Sequence, residues 1–156
     1  MTLPNSPPVA KICFVTTSPL VVQFFLIPHL YELSRTFEVT LIANEDCSLL
    51  LKDAPSPIIM MVVPIERKIR LKRDIVAWSK LFYLFAAKSF DAVISVAPKA
   101  GLLTMTSAFL ARQRWRCHIF QGEVWANRSG MSRFLLCSAD WITARFSSEV
   151  LVVSRG

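Results

Sequence analysis

"DAVISVAPKAGLLTM", residues 91–105, joins a mostly apolar run, "DAVISV", to a helix that opens at Pro98. Short apolar runs of this kind are typical of a buried β-strand, and proline suits the first turn of a helix, which here extends to about residue 112. A strand that leads directly into a helix is the repeating unit of a parallel sheet, because parallel neighbours need a crossover connection. The stretch therefore predicts an α/β domain.

The same alternation extends along the chain in both directions. Residues 1–10 are rich in proline and predict a flexible lead-in, whereas residues 11–156 predict one Rossmann-like domain. We expect a three-layer sandwich whose mostly parallel sheet has about six strands, with helices on both faces. The predicted strands are 11–16, 37–43, 58–63, 91–96, 116–120 and 150–153, and the predicted helices are 17–35, 44–51, 74–90 and 98–112.

Composition supports a single folded domain with phosphate-bearing partners. Of the 156 residues, 53% are hydrophobic and 19% are charged, which gives enough apolar surface for a core and excludes disorder. The net charge of +7 favours nucleic acid, an anionic membrane or a phosphorylated small molecule. No nucleic-acid recognition motif accompanies the charge, so nucleic acid is the least favoured of the three.

Glycine, cysteine and histidine usage excludes several enzyme classes. With four glycines the chain has no G-x-G-x-x-G, Walker or G-x-S-x-G motif, which disfavours dinucleotide dehydrogenases, P-loop enzymes and serine hydrolases. The spacing of the cysteines and the presence of only two histidines predict no metal site and no cofactor. We interpret the cysteines as reduced, in a cytoplasmic protein; they are Cys13, Cys47, Cys117 and Cys137.

The apolar segment 11–33 does not predict a membrane span. Lys11, Gln23, His29 and two prolines interrupt it before about 18 uncharged apolar residues accumulate. The residues before Lys11 carry no positive side chain, which also makes a signal peptide the weaker interpretation.

Candidate site residues lie where the strands end, since ligands of open parallel sheets bind outside the carboxyl ends of the strands. At 97–101 the free N–H groups of a helix N-terminus and Lys99 predict an anion site, although Gly101 can equally serve close packing on the sheet. Trp125 could stack on a sugar ring or fill the hinge of its loop. His118 lies inside a strand, where a lone histidine is more often a packed core residue than a catalyst.

A basic segment precedes the helix predicted at 74–90. Five of the 18 Lys and Arg residues fall in 66–73, namely Arg67, Lys68, Arg70, Lys72 and Arg73. Such a loop is usually a solvated face. The alternative is a surface for anionic lipid head groups or a diphosphate, where each cation contributes about 1 kcal/mol.

Several segments together resemble the N-terminal domain of a family 4 glycosyltransferase with the GT-B fold. The resemblance is to the bacterial branch that builds O-antigen, lipopolysaccharide, capsule and exopolysaccharide, and it covers almost the whole chain. "PKAGLL" and "G-x-V-W-A-x-R-x-G" are its most specific parts. The segments are "KICFVTTSPL", "FFLIPHLYEL", "FEVTLIAN", "VPIERKI", "FDAVISVAPKAGLLTM" and "HIFQGEVWANRSG".

The resemblance implies that this domain binds the acceptor, often a lipid-linked sugar, at the cytoplasmic face of the membrane. A second domain, expected beyond "VLVVSRG" and absent from this chain, would bind the nucleotide sugar, supply the paired glutamates and retain the anomeric configuration without an essential metal. The implied acceptor residues are Ser18, Pro19, Lys99, Ala100, Gly101, Gln121, Gly122, Glu123, Trp125 and Arg128. Catalytic residues are not assigned, and Gln121 stands where many family members carry histidine.

Two functional hypotheses follow. The first is the acceptor-binding half of a hexosyltransferase, inactive alone and peripheral to the inner face of the membrane, with a separate donor-binding domain or subunit as its partner. The second is a non-catalytic module that binds a membrane surface or a phosphate.

Overall fold

The computed structural model describes residues 9–122 and 125–153, which form an α/β fold around one six-stranded parallel sheet. The strand order is β3-β2-β1-β4-β5-β6, so the chain builds outward from β1 in one direction and from β4 in the other. This is the doubly wound Rossmann order, and it confirms the predicted fold class. The strands are β1 (Lys11–Val15), β2 (Glu38–Ala43), β3 (Ile59–Val62), β4 (Ala92–Val96), β5 (Arg116–Phe120) and β6 (Glu149–Val152).

Helices cover the sheet on both faces, because the two directions of winding place their crossovers on opposite sides. The helix after β1 consists of α1 (Pro19–Val21), a π-helical turn (Val22–Leu26) and α2 (Ile27–Ser34). The others are α3 (Ser48–Leu51), α4 (Leu71–Ala87), α5 (Pro98–Leu110) and α6 (Gly130–Phe146).

Each face of the sheet has its own apolar core. On the first face the helix after β1 packs on β1 and β2 through buried residues that include Leu26, Leu30, Val39 and Leu41. On the second face α4 and α5 pack on the central strands through residues that include Val15, Leu81, Phe85, Val93 and Met105. The continuous apolar runs of the strands are therefore explained by burial on both sides.

Two helices differ from the sequence-based expectation. Helix α4 begins at Leu71, within the segment predicted as a basic loop, because the Asp74 carboxylate accepts the backbone N–H of Arg70 at 3.0 Å and closes the first turn. Helix α6 has no counterpart among the predicted elements. Its only fully buried residue is Thr143, so the sequence has no apolar stripe at helical spacing. The lead-in predicted at 1–10 lies outside the described residues up to position 8.

Gln113 ties the end of α4 to the turn before β5. Its buried side chain accepts the backbone N–H of Phe90 at 2.8 Å and donates to the carbonyl oxygens of Phe85 and Lys88 at 2.6 and 3.2 Å. Gln113→Ala leaves these buried backbone groups without their partner, and we expect it to lower the free energy of unfolding by about 2 kcal/mol.

Urea unfolding followed by circular dichroism measures this loss. Gln23→Ala is the matched control, since Gln23 is exposed and should change stability by less than about 0.5 kcal/mol. Equal stability of the two variants would contradict the role assigned to Gln113.

Candidate functional site

A cleft opens at the point where the sheet changes its winding direction, between the carboxyl ends of β1 and β4. Ligands of doubly wound sheets occupy this position. The cleft has a volume of about 590 Å³. It is lined by Thr17, Ser18, Leu20, Val21, Phe24, Phe25, Arg67, Ala97, Pro98, Gln121 and Gly122.

The α5 N-terminus forms one wall of the cleft, as the "VAPKAG" segment predicted. Ala97 precedes it with φ 81° and ψ 142°, a left-handed region that disfavours an alanine and stores strain. Pro98 occupies the first turn, and no side chain among the described residues caps this end. The N–H groups of the first turn remain available to an anion, toward which the helix dipole also points.

The opposite wall is apolar and comes from the helix after β1. Ser18 is a helix cap whose Oγ accepts the backbone N–H of Leu20 at 3.2 Å, and it lines the cleft together with Thr17. Pro19 occupies the first turn of α1 but does not line the cleft. Leu20 and Phe24 are 58% and 77% exposed, so they present apolar surface to whatever enters the cleft. Sequence reasoning did not select these two residues, although apolar side chains four residues apart share a helix face.

The loop after β5 is split between three environments. Gln121 and Gly122 line the cleft. The Arg133 guanidinium carbon lies over the Trp125 ring, 5.4 Å from the ring centroid. One face of the Trp125 ring is therefore already occupied by a cation. Arg128 lines a different cavity, which lies between α4, α5 and α6. Glu123 falls outside the described residues.

Lys99 does not serve as the cation of the cleft. Its ammonium group lies 2.5 Å from Asp74 Oδ1 and donates to the backbone carbonyl of Lys68, also at 2.5 Å. Both side chains of the Lys99–Asp74 pair are 14% exposed, and breaking a largely buried pair of this kind is costly. Arg67 is instead the positive side chain that lines the cleft.

Ala100 and Gly101 are buried, and Gly101 packs against His118. A Cβ at position 101 would lie 2.4 Å from His118 Cε1, so only glycine lets α5 approach β5 this closely. His118 is a packed core residue, as predicted: its Nδ1 lies 2.7 Å from Ser95 Oγ, and its ring meets Phe120 edge-on at 4.4 Å. Burial lowers the pKa of His118 to about 4, with a smaller opposing effect from the hydrogen bond to Ser95.

The basic segment 66–73 is partly paired within itself. Glu66 accepts both Arg70, at 3.3 Å between Nε and Oε2, and Arg73. Exposed pairs of this kind contribute little to stability and leave the surrounding potential positive. Arg67, Lys68 and Lys72 are exposed. The segment therefore combines a cation at the cleft with a basic outer surface.

The described residues hold no group of three His, Cys, Asp or Glu side chains placed to bind a metal ion. Over residues 9–122 and 125–153, no helix combines the length and the apolar character needed to cross a bilayer.

No family model matches the chain, and no curated protein matches it. Solved structures do match. HepE from Anabaena, solved with UDP and glucose, is 15% identical with a TM-score of 0.65 over 90% of this chain. The chain has the Rossmann-like fold of the N-terminal half of GT-B proteins.

Two further GT-B structures agree with this half-domain. MurG from Acinetobacter baumannii is 14% identical with a TM-score of 0.62 over 94% of the chain. UDP-GlcNAc 2-epimerase from Methanocaldococcus jannaschii is 13% identical with a TM-score of 0.64, also over 94%. The chain spans 37–42% of the length of these three structures.

Proposed function

We propose that the chain is the acceptor-binding half of a retaining glycosyltransferase of family 4. It would act with a nucleotide-sugar-binding half to extend a lipid-linked glycan in bacterial surface-polysaccharide synthesis. The observation that carries this proposal is the cleft at the switch point, where an uncapped helix N-terminus, Arg67 and an apolar wall surround one space. The likeness of the fold to MurG and to HepE supports it, as does the resemblance of the sequence segments.

The cleft suits an acceptor that carries phosphate. The first-turn N–H groups of α5 and the Arg67 guanidinium can bind phosphate oxygens from two sides, and charge-assisted bonds of this kind are the strong ones. The Gln121 amide can hydrogen-bond a sugar hydroxyl. The group that acts on the donor sugar would come from the other half of the enzyme.

Peripheral association with the inner face of a membrane is part of the proposal. The exposed cations Arg67, Lys68 and Lys72 lie in the same segment as Ile69 and Leu71, which are 72% and 75% exposed. Basic and apolar side chains together favour an anionic bilayer surface. The same observation favours the second candidate, a non-catalytic membrane-surface or phosphate-binding module.

A binding experiment tests the proposed acceptor site. We expect a sugar diphosphate that carries a methyl group in place of the lipid to bind the chain, and UDP-sugars to bind far more weakly. Arg67→Gln should weaken acceptor binding about tenfold, because a charge-assisted bond is lost. Isothermal titration calorimetry measures both affinities.

Arg114→Gln is the control for charge. Arg114 is exposed and precedes the amino end of β5, whereas the cleft lies at the carboxyl ends of the strands. Tight binding of UDP-sugars by this chain alone would contradict the assignment. Acceptor binding without sugar transfer, when a donor-binding half is supplied, would favour the non-catalytic module.

A further inference from the structure

A second cavity, of about 1000 Å³, lies on the outer side of the molecule between α4, α5 and α6. We call it the helix groove. The proposed acceptor site does not use it. Its wall consists of Ile69, Leu71, Asp74, Ile75, Trp78, Lys99, Leu102, Leu103, Thr106, Arg128, Ser132, Leu135, Leu136 and Ala139.

The helix groove presents an apolar interior. Two polar pairs are satisfied within its wall: Trp78 Nε1 donates to Thr106 Oγ1 at 3.0 Å, and Lys99 is held by Asp74. Arg128 and Ser132 are the other polar residues that line it. Four leucines from α5 and α6 also line it, namely Leu102, Leu103, Leu135 and Leu136. An apolar cavity of this size is typical of a binding site.

A third cavity adjoins both the helix groove and the cleft. It is smaller, about 290 Å³, and shares walls with both. On the cleft side the shared residues are Thr17, Arg67, Ala97 and Pro98. On the groove side they are Ile69, Lys99, Leu102, Leu136 and Ala139. Three adjoining cavities therefore extend from the cation and helix N-terminus of the cleft to the apolar space between the helices.

We infer that the helix groove holds a single long hydrocarbon chain of an amphiphile whose anionic head lies at Arg67 in the cleft. The connecting cavity is too small for a polypeptide helix, whose diameter is about 10–12 Å, but it can admit one chain of methylene groups. The identity of the head group rests on the proposed function, whereas the chain site rests on the groove and on the cavity that adjoins both it and the cleft.

A series of monomeric alkyl phosphates tests the chain site without any sugar or nucleotide. Affinity should rise about fourfold for each added methylene, from butyl through decyl phosphate, and then level off when the groove is full. Trp78 lies in the wall, so a bromine-labelled chain should quench its fluorescence, and Trp78→Phe should remove that quenching. Comparison of farnesyl phosphate with dodecyl phosphate distinguishes a prenyl from an acyl source.

Ala139→Phe fills the groove at the position shared with the connecting cavity and should weaken decyl phosphate binding at least tenfold. Ala144→Phe is the matched control on the exposed side of the same helix and should leave the affinity unchanged. The chain-length series and the quenching are both measured on the wild-type protein, so the test does not depend on whether either variant folds.

Three outcomes would overturn the inference. The first is an affinity that does not depend on the length of the alkyl group. The second is binding only when vesicles are present, and the third is self-association of the protein that Ala139→Phe abolishes. The last two would assign the groove to a bilayer surface or to a second copy of this chain. If the affinity for alkyl phosphates depends on alkyl length but the sugar diphosphate does not bind, the proposed function is refuted. The hydrocarbon site in the helix groove is then still supported.

Discussion

Gly101→Leu should fail to fold, and Gly101→Ala should lower the free energy of unfolding by about 3 kcal/mol. Alanine is ordinarily better than glycine in a helix by about 1 kcal/mol, so the expected sign is the reverse of the intrinsic preference. The reason is the 2.4 Å approach between the new Cβ and His118 Cε1. The imidazole is fully buried and fixed by Ser95, so relief requires α5 to move off the sheet.

A double-mutant cycle with His118→Ala measures the cause directly. In the His118→Ala background the ring is gone, and Gly101→Ala should cost little or become stabilising. Urea unfolding of the four proteins gives the coupling energy. If Gly101→Ala cost the same in both backgrounds, the contact with His118 would not be what requires glycine at this position.

Acidification should destabilise the protein through His118. Its pKa is about 4 in the folded state and about 6.5 when unfolded, so the unfolded state binds the proton more readily. The contribution of His118 to stability is therefore complete above about pH 6.5 and is lost as the pH falls toward about 4. The difference corresponds to about 3 kcal/mol.

Comparison with His118→Gln isolates this contribution, because the carboxylates titrate equally in both proteins. The stability advantage of wild type over the variant should shrink between about pH 7 and pH 4.5. His29→Gln is the control, since His29 is exposed on α2, and it should keep the wild-type profile. Protonation of the His118 ring near pH 6.5 in an NMR titration of the wild-type protein would contradict the prediction.

The sheet was predictable because its signals are local. Each strand is a short apolar run that ends at a proline, a polar cluster or a helix start, and each observed bound lies within one residue of the predicted one. Helix α6 was not predictable in this way. Phe134, Leu135 and Trp141 are 66%, 57% and 68% exposed, so apolar residues do not mark its buried face.

The candidate site was predictable in position but not in detail. Topology places the carboxyl ends of β1, β4 and β5 together. Ser18, Gln121 and Gly122, which the family resemblance implied, line the cleft at these ends. The partner of Lys99 is Asp74, on another helix and 25 residues earlier, and no local pattern predicts that pairing. The helix groove likewise depends on three helices that meet only in the folded chain.

The π-helical turn Val22–Leu26 has a consequence for sequence alignment. The backbone N–H of Ile27 bonds the carbonyl of Val22, five residues back, so this turn contains one residue more than an α-helical turn. A homologue with a regular α-helix here should align with a one-residue gap inside 22–26. An ungapped alignment would match the buried Leu30 to a solvent-facing position. The sequence similarity to a homologue would then be missed in the helix that borders the cleft.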